Sequence, residues 1–448
     1  MVFKNHRIPW KNYMQSSPLI DHRGEKMHHF MSRLYPICRS ITGEGTRKTL
    51  ALLAQRMPIT LHEMKSGTQV FDWTVPNEWN LTDAYIKDPK GRKILDFQKS
   101  NLHVMGYSVP VHKKIPLAQL KKHVHTLPDR PGWIPYVTSY YQQDWGFCMP
   151  YKNFKQLRAG TYEVNIESSL APGSLTYGEC YLPGKTKEEV LLSTYLCHPS
   201  LGNDNLSGVV LLTFLASILK KRKLKYSYRF LFIPETIGAL AWLSHNEKKL
   251  PRIKHGLVVT CVGDSGKMTY KKSRRANAEI DRIVEKMLVD SGDPFQIVEF
   301  SPTGSDERQF CSPGFDLPVG SLMRTPYGQY PEYHTSADNL QFVKPASLAD
   351  SLKKYLSVID MLEHDRAYVN LFQKGEPQLS KRGLYRTKGT PAGRTARELA
   401  RLWILNLSDG AHSLVDISLR SGLKFSDIHL AAQELAHAHV IKTIHDYH

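Results

Sequence analysis

The residues with the most chemistry to offer in this 448-residue chain are two histidines, two aspartates and a glutamate. His198 follows the apolar run EVLLSTYLC, and Asp204 lies in the loop CHPSLGNDNLSG behind it. Glu235 follows YRFLFIP, Asp264 follows GLVVTCV after one glycine, and His334 lies in PEYHTSADNL, downstream of LPVGSLMR. Short, continuously apolar runs of this kind read as strands buried on both faces. Parallel strands present their carboxyl ends to one crevice, so five potential metal ligands or proton carriers are expected at one sheet edge. Imidazole and carboxylate suit zinc, whose catalytic sites keep one position open for water. His198, Asp204, Asp264 and His334 could hold one or two such ions, with Glu235 as the base that takes a proton from water. Singly, each residue says less: a histidine at a strand end is usually structural, and Asp204, ahead of a helix, could be a cap. The convergence of all five carries the reading.

The elements that must position them alternate. Strands are expected near 161–167, 175–182, 189–197, 228–234, 256–262 and 317–324, and helices near 206–221, 236–248, 276–291 and 345–363, the last opening with Pro345. That alternation is the pattern of an α/β domain with a mostly parallel sheet and helices on both faces. Residues 1–66, which hold two helical stretches, and 159–366 are assigned to it. Residues 67–158 have another texture, rich in Trp, Tyr, Pro and His and broken by turns such as Asp88-Pro89-Lys90-Gly91, which predicts an inserted small β domain. The stretch 367–394, basic and Gly-containing at its end (KRGLYRTKGTPAGR), reads as a linker. Residues 395–448 read as a separate winged-helix module, two helices joined across Gly422 with Ser426 as the N-cap of the last.

Lysine and arginine exceed aspartate and glutamate to give a formal charge of +18, which favours anionic partners without saying anything about fold. The clusters Lys220–Lys223 and Lys271-Lys272 with Arg274-Arg275 are expected on solvated faces. Six scattered cysteines without a CxxC pair predict packed thiols. No run of about 18 apolar residues is present and the N-terminus lacks an apolar leader core. A cytoplasmic chain with no membrane partner is the expectation.

The stretches RSITGEG, YYQQDWGFC, CHPSLGNDNLSG and PETIG, with the late YHTSADNL, carry a resemblance over nearly the whole chain. It resembles a family of bacterial aminopeptidase-like proteins with an inserted β domain and a C-terminal winged helix, often associated with polysaccharide biosynthesis and related to the co-catalytic zinc aminopeptidases. The resemblance implies that Asp204 bridges two metals, that His198 and Asp264 complete one site, that His334 helps complete the other, and that Glu235 is the general base. The aminopeptidases carry two adjacent glutamates where this chain has Glu235 followed by Thr236. A neutral hydroxyl is a poor zinc ligand, so the resemblance leaves three outcomes: a mononuclear enzyme, an altered dinuclear one, or a site retired from catalysis.

The leading expectation is a zinc-dependent aminopeptidase or related amidohydrolase acting on a small peptide, an N-acylated metabolite or a modified amino sugar. Its alternatives are a peptidase-like scaffold without turnover and a winged-helix DNA-binding regulator. The segment SDIHLAAQELAHAHVI has no Lys or Arg, which argues against sequence-specific nucleic acid and leaves the module as a surface for self-association. Asp306-Glu307 in TGSDERQF, the Tyr140-Tyr141 and Trp145-Gly146-Phe147 aromatics, His28-His29 and Cys197 are secondary candidates, with capping or core packing the commoner roles.

Overall fold

The computed structural model describes residues 18–384 and 395–444. In chain order the elements of the first part are α1 (Pro18–Leu34), α2 (Glu44–Ala54), β1 (Thr60–Lys65), β2 (Glu78–Lys87), β3 (Lys93–Asp96), β4 (Val111–Pro116) and β5 (Thr161–Ala171). The alternating stretch follows: β6 (Ser174–Leu182), β7 (Glu189–Tyr195), α3 (Gly208–Leu219), β8 (Ser227–Ile233), α4 (Ile237–Asn246), β9 (Ile253–Val259), β10 (Met268–Lys271), α5 (Glu279–Ser291), β11 (Phe295–Val298), β12 (Val319–Met323) and α6 (Pro345–His364). The last elements are β13 (Ala367–Asn370), α7 (Ala396–Leu407), β14 (Asp409–Ser413), α8 (Leu414–Ser421), α9 (Phe425–His437) and β15 (Ile441–Thr443). Two compact units result, one of Pro18–Ala276 with Phe295–Leu352, the other of Asn277–Pro294 with the chain from Lys353 onward.

The first unit is built on an eight-stranded sheet in the order β1-β6-β8-β7-β9-β12-β10-β11. Its four middle strands, β8, β7, β9 and β12, are parallel, so their carboxyl ends share one edge. β1 runs antiparallel to β6, β6 to β8 and β10 to β12, while β11 lies parallel to β10. The α/β expectation therefore holds, and the additional strands β1, β10 and β11, short and toward the two ends of the sheet, are ones that the apolar pattern does not announce. β7 and β8 are buried at every position, and α3, GVVLLTFLASIL, is buried over most of its length. Burial on this scale is why the stretch Gly202–Leu219, apolar and long enough to pass for a membrane span, is 89% enclosed by protein.

The buried strands also hold charge. Arg229 on β8 donates to both oxygens of Glu189 at 2.7 and 3.0 Å and to Glu179 at 2.5 Å, while the Trp242 indole donates to the other oxygen of Glu179 at 2.8 Å. The bidentate fork satisfies groups that would otherwise be costly to desolvate.

The inserted segment contributes a four-stranded antiparallel sheet, β3-β2-β5-β4. It takes in β5 and so runs to residue 171, beyond the change of texture near 158. Its core is Ile86, Leu95, Ile115, Phe147, Tyr162 and Val164 among others, which places Trp145 and Phe147 in packing. The six cysteines are free thiols, five of them buried.

The second unit differs from expectation at both ends of the winged helix. Ala367–Asn370, expected as linker, is the middle strand of the three-stranded sheet β14-β13-β15. Residues 385–394, the rest of that basic linker, lie outside the described residues. Gly422, at φ 70°, ends α8 as expected. Ser426 does not cap α9, which begins one residue earlier; the Phe425 N–H is taken instead by the Asp290 carboxylate of α5, at 2.9 Å. Arg282 of α5 also pairs with Asp416 at 2.8 Å, so the module is tied to α5 rather than separate. The basic cluster after β9 is largely neutralised: Lys271 is buried against Glu307 at 2.8 Å, Lys272 meets Glu299, and Arg274 and Arg275 share Asp316.

Replacing Arg229 by Ala leaves Glu179 and Glu189 without their cation inside the sheet. The expected loss is about 3–5 kcal/mol, read as a lower urea midpoint of unfolding; an unchanged midpoint would show that the fork contributes nothing net.

Candidate metal centre

Three strand ends deliver the site. β7 runs into His198, β8 into Glu235, and the long loop after β12 returns to His334. His198 Nε2 lies 3.9 Å from Asp204 Oδ2, and His334 Nε2 lies 3.0 Å from the same oxygen. These three donor atoms fall within 4.8 Å of one another. Glu235 Oε2 stands 3.9 Å from His198 Nε2, and its side chain keeps partial exposure. The imidazole and carboxylate atoms of a tetrahedral zinc site, at bonds of about 2.0–2.1 Å, are roughly 3.3 Å apart, a value the two measured separations bracket.

A second observation bears on whether a cation fits. Asp204 Oδ2 and His334 Nε2 are buried and neither makes a hydrogen bond, although they are neighbours. Buried polar atoms are almost always partnered, and a cation between them would satisfy both. The other oxygen of Asp204 is taken: Oδ1 accepts from the Tyr195 hydroxyl, which also lies 2.7 Å from Thr260 Oγ1. A bridging role needs both carboxylate oxygens, so the arrangement fits one ion better than two.

The loop that carries Asp204 is held by backbone accounting. The Asp338 carboxylate accepts the N–H groups of Asn203 at 2.5 Å and Asp204 at 2.9 Å, and the Asp338 carbonyl accepts that of Gly202 at 2.9 Å. Asn203 in turn accepts from the Gly263 N–H at 2.8 Å and donates to Asp264 Oδ2 at 3.0 Å. That contact corrects the sequence expectation for Asp264. Its other oxygen accepts from Gly266 N–H at 2.7 Å and the Thr325 hydroxyl at 2.6 Å, so both oxygens are spent on loop structure and Asp264 does not join the three donors. The turn is tight enough that a Cβ at Gly266 would meet Thr325 Oγ1 at 2.2 Å.

Electrostatics sort the remaining groups. Burial lowers the His198 imidazole to about 4 despite the opposing pull of Asp204, so it is neutral near pH 7. Burial alone would raise Asp204, but the His198 and His334 rings and the Tyr195 hydroxyl outweigh it and hold the carboxyl at about 2. Glu235 goes the other way: burial, then the charges of Asp306 and Asp204, raise it well above the usual carboxylate range, as suits a proton acceptor. The Cys197 thiol is pushed well up by burial and accepts the Glu235 N–H at 3.3 Å, which makes it a packed residue rather than a nucleophile.

Glu235 is presented by a strained turn. Thr236 has φ 62° and ψ −73°, and the Ile237 N–H donates to the Glu235 carbonyl at 2.8 Å, a rare γ-turn whose cost is about 1–3 kcal/mol. Asp306 accepts the Thr236 N–H at 2.7 Å and Arg308 donates to the Thr236 hydroxyl at 3.1 Å. Thr236 is thus committed to the turn and offers no ligand. Burial pushes the Asp306 carboxyl up to about 7.

Residues without a local sequence signal complete the wall. The Tyr136 ring lies 5.2 Å from that of His198 and 5.1 Å from that of His334, and its N–H donates to the His334 carbonyl at 2.8 Å. Arg39, wholly buried in RSITGEG, donates to the His198 carbonyl at 3.0 Å. Leu127, Arg130, Tyr136, Val137, Tyr333 and His334 line a cavity of about 570 Å³. His28 bonds the Leu340 carbonyl at 2.7 Å, a structural contact.

A family model described as Domain of unknown function (DUF4910) matches residues 28–365, and one described as winged helix-turn-helix matches residues 366–443. A protein of Clostridium acetobutylicum is 53% identical over 432 residues, covering 96% of this chain and 99% of its own. Its name, which is itself provisional, is polysaccharide biosynthesis protein with aminopeptidase-like domain. A crystal structure from Clostridium acetobutylicum, provisionally called a peptidase, matches with TM-score 0.91 at 52% identity, over 97% of this chain and 99% of that one. BSAP, a zinc aminopeptidase from Bacillus subtilis, matches with TM-score 0.58 at 12% identity, over 77% of this chain and 95% of its own. The last likeness shows the fold alone.

His198→Ala removes one of the three clustered donors and should leave the circular dichroism of the parallel core intact. It should also flatten a pH dependence. The unfolded imidazole takes a proton near pH 6.5 and the folded one only near 4, so native stability falls as pH drops through that window, by about 3 kcal/mol at most. Urea midpoints of the metal-free protein between pH 7 and 4 measure it, and an equal slope in the variant would remove His198 as the source.

Proposed function

The chain belongs to the family of aminopeptidase-like domains described as Domain of unknown function (DUF4910), and from that premise we propose that it is a hydrolase of amide bonds that uses a single zinc ion. The observation that carries the reading is the pair of buried donor atoms, Asp204 Oδ2 and His334 Nε2, 3.0 Å apart and without a hydrogen bond, with His198 beside them and Glu235 at the open side. His198, Asp204 and His334 would hold the ion. Zinc, when bound, supplies Lewis acidity that polarises a carbonyl and makes water more acidic. Glu235 accepts the proton of the attacking water and returns it to the amine that leaves. Tyr136 and Tyr333 narrow the approach and exclude bulk water, and the cavity beside His334 receives the substrate. A small peptide or an N-acylated metabolite fits this chemistry, and the name of the Clostridium acetobutylicum relative favours the second.

A second reading has its own support. Thr236 stands where the zinc aminopeptidases that the chain resembles carry a second glutamate, and Asp264 is occupied by loop contacts, both of which suit a peptidase-like scaffold that binds without turnover.

Elemental analysis should find one zinc per chain. With L-leucine p-nitroanilide and N-acetylglucosamine as probes, at least one should be hydrolysed, and Glu235→Gln should keep its zinc while losing about 10²-fold or more in rate. Zinc without turnover of either probe selects the scaffold. A chain without zinc, or a Glu235→Gln variant as fast as the parent, would overturn the hydrolase.

A further inference from the structure

Two tight turns of the inserted segment carry aromatic residues where the backbone calls for glycine. In the first, the pairs Gln69↔Thr74 and Val70↔Trp73 are closed by Phe71-Asp72, and Phe71 has φ 54°. The first position of such a two-residue hairpin loop is left-handed and is normally glycine. In the second, Gln142 N–H donates to the Ser139 carbonyl at 3.1 Å, and Tyr141, third in the turn, has φ 66°. Glycine or asparagine is the usual residue there. A bulky side chain at positive φ is an outlier, and strain of this kind persists where something else requires the side chain.

Burial is not what requires these. Phe71 is 41% exposed, Trp73 39% and Tyr141 50%, while their neighbours Val70 and Val75 anchor the hairpin in the core. The rings are instead held in two edge-to-face pairs, Trp73 with Tyr141 at 5.4 Å and Phe71 with Phe315 at 5.5 Å, and keep the exposure just given. The hairpin itself is braced: Gln69 Nε2 donates to the Phe71 carbonyl at 2.8 Å and the Thr74 hydroxyl to Gln69 Oε1 at 3.0 Å. The patch adjoins the metal centre. Tyr141 follows Tyr140, whose hydroxyl is 3.0 Å from that of Tyr136, the ring packed against His198 and His334.

The charges around the rings narrow the occupant. Asp72, Gln142, Gln143 and Asp144 are exposed beside them, and neither QVFDWT nor SYYQQD contains a lysine or arginine. Arg274 and Arg275, near Phe315, are engaged by Asp316 at 2.8 and 3.2 Å. A phosphate-bearing chain would find no free cation in either turn. A ring with an apolar face and a rim of hydroxyls would find both an aromatic surface and carboxylate and amide acceptors.

We propose that Phe71, Trp73 and Tyr141 form a stacking platform for a pyranose ring, so that the substrate of the adjoining centre is a saccharide bearing an N-acylated amino sugar. The acyl group rests on the hydrolase reading; the platform does not. Isothermal titration of the full chain with N,N′-diacetylchitobiose, and with trialanine for comparison, tests it. The disaccharide should bind and the peptide should not. Trp73→Ala and Tyr141→Ala should each weaken binding about tenfold or more with unchanged zinc content. Tyr141→Gly, which removes ring and strain together, should weaken binding as much without lowering the melting temperature. No binding of the disaccharide, equal binding by the variants, or variants that alter only the elution volume in gel filtration would overturn the platform, the last by making it a self-association surface. Zinc in a sample that ignores the disaccharide leaves the hydrolase standing, and disaccharide binding by a zinc-free sample leaves the platform standing.

Discussion

The carboxylate of Asp338 accepts the N–H groups of Asn203 and Asp204, and the geometry of the centre depends on that clamp. A loop between a buried strand and a buried helix has backbone donors with no ladder to join, and each must find an acceptor. Asp338 supplies one from the segment that also carries His334, so the contact that satisfies the loop brings Asp204 and His334 to the same place. Ser207, accepting from Val262 N–H at 3.0 Å, and Asn205, donating to the Tyr195 carbonyl at 2.9 Å, extend the clamp to the ends of β9 and β7. The three donors are thus fixed by bonds among their supports, the arrangement by which ligating side chains are kept oriented.

The same accounting shows which oxygens around the cluster are already spent. Asp204 has two oxygens, and Tyr195 occupies one. Asp264 has two, and Asn203, Gly266 and Thr325 occupy both. Thr236 has a hydroxyl, and Arg308 occupies it. Those groups are already spent, whereas Asp204 Oδ2 and His334 Nε2, 3.0 Å apart, make no hydrogen bond. The contrast with Arg229 is instructive: there the interior of the sheet holds a cation and two carboxylates in complete hydrogen bonding, and no chemistry is left over. Incomplete satisfaction marks the site.

Strain is distributed in a similar way. Thr236, Phe71 and Tyr141 all hold positive φ values. The first aims Glu235 at His198 and is braced by Asp306. The other two sit in tight turns with exposed rings, Phe71 in a hairpin whose Val70 and Val75 pack in the core of the main sheet. The insert therefore contributes the wall through Tyr136 and the outer rim through its turns, while the parallel sheet contributes the polar centre.

Apolar patterning alone was enough to read the architecture and the edge. Continuous apolar runs such as EVLLSTY and SYRFLFI have nowhere to lie except inside a parallel sheet, and parallel strands must end together, so His198, Glu235 and the two loops with Asp204 and His334 were legible as one cluster. What it could not determine was which side chain, five residues past a strand end, turns toward the cluster. Asp264 follows the same rule of placement as Glu235 yet spends its oxygens on Asn203, Gly266 and Thr325, residues far apart in the chain. Ser426 resembles an N-cap, yet Asp290 of another helix fills that role. Tyr136 lies in a segment with no periodic signal and reaches the centre because its backbone pairs with the His334 loop. Periodicity and strand ends are local properties, set by burial of the chain against itself. Ligation, capping and walls are settled by competition among distant hydrogen-bonding groups, and only the folded chain decides which partner wins.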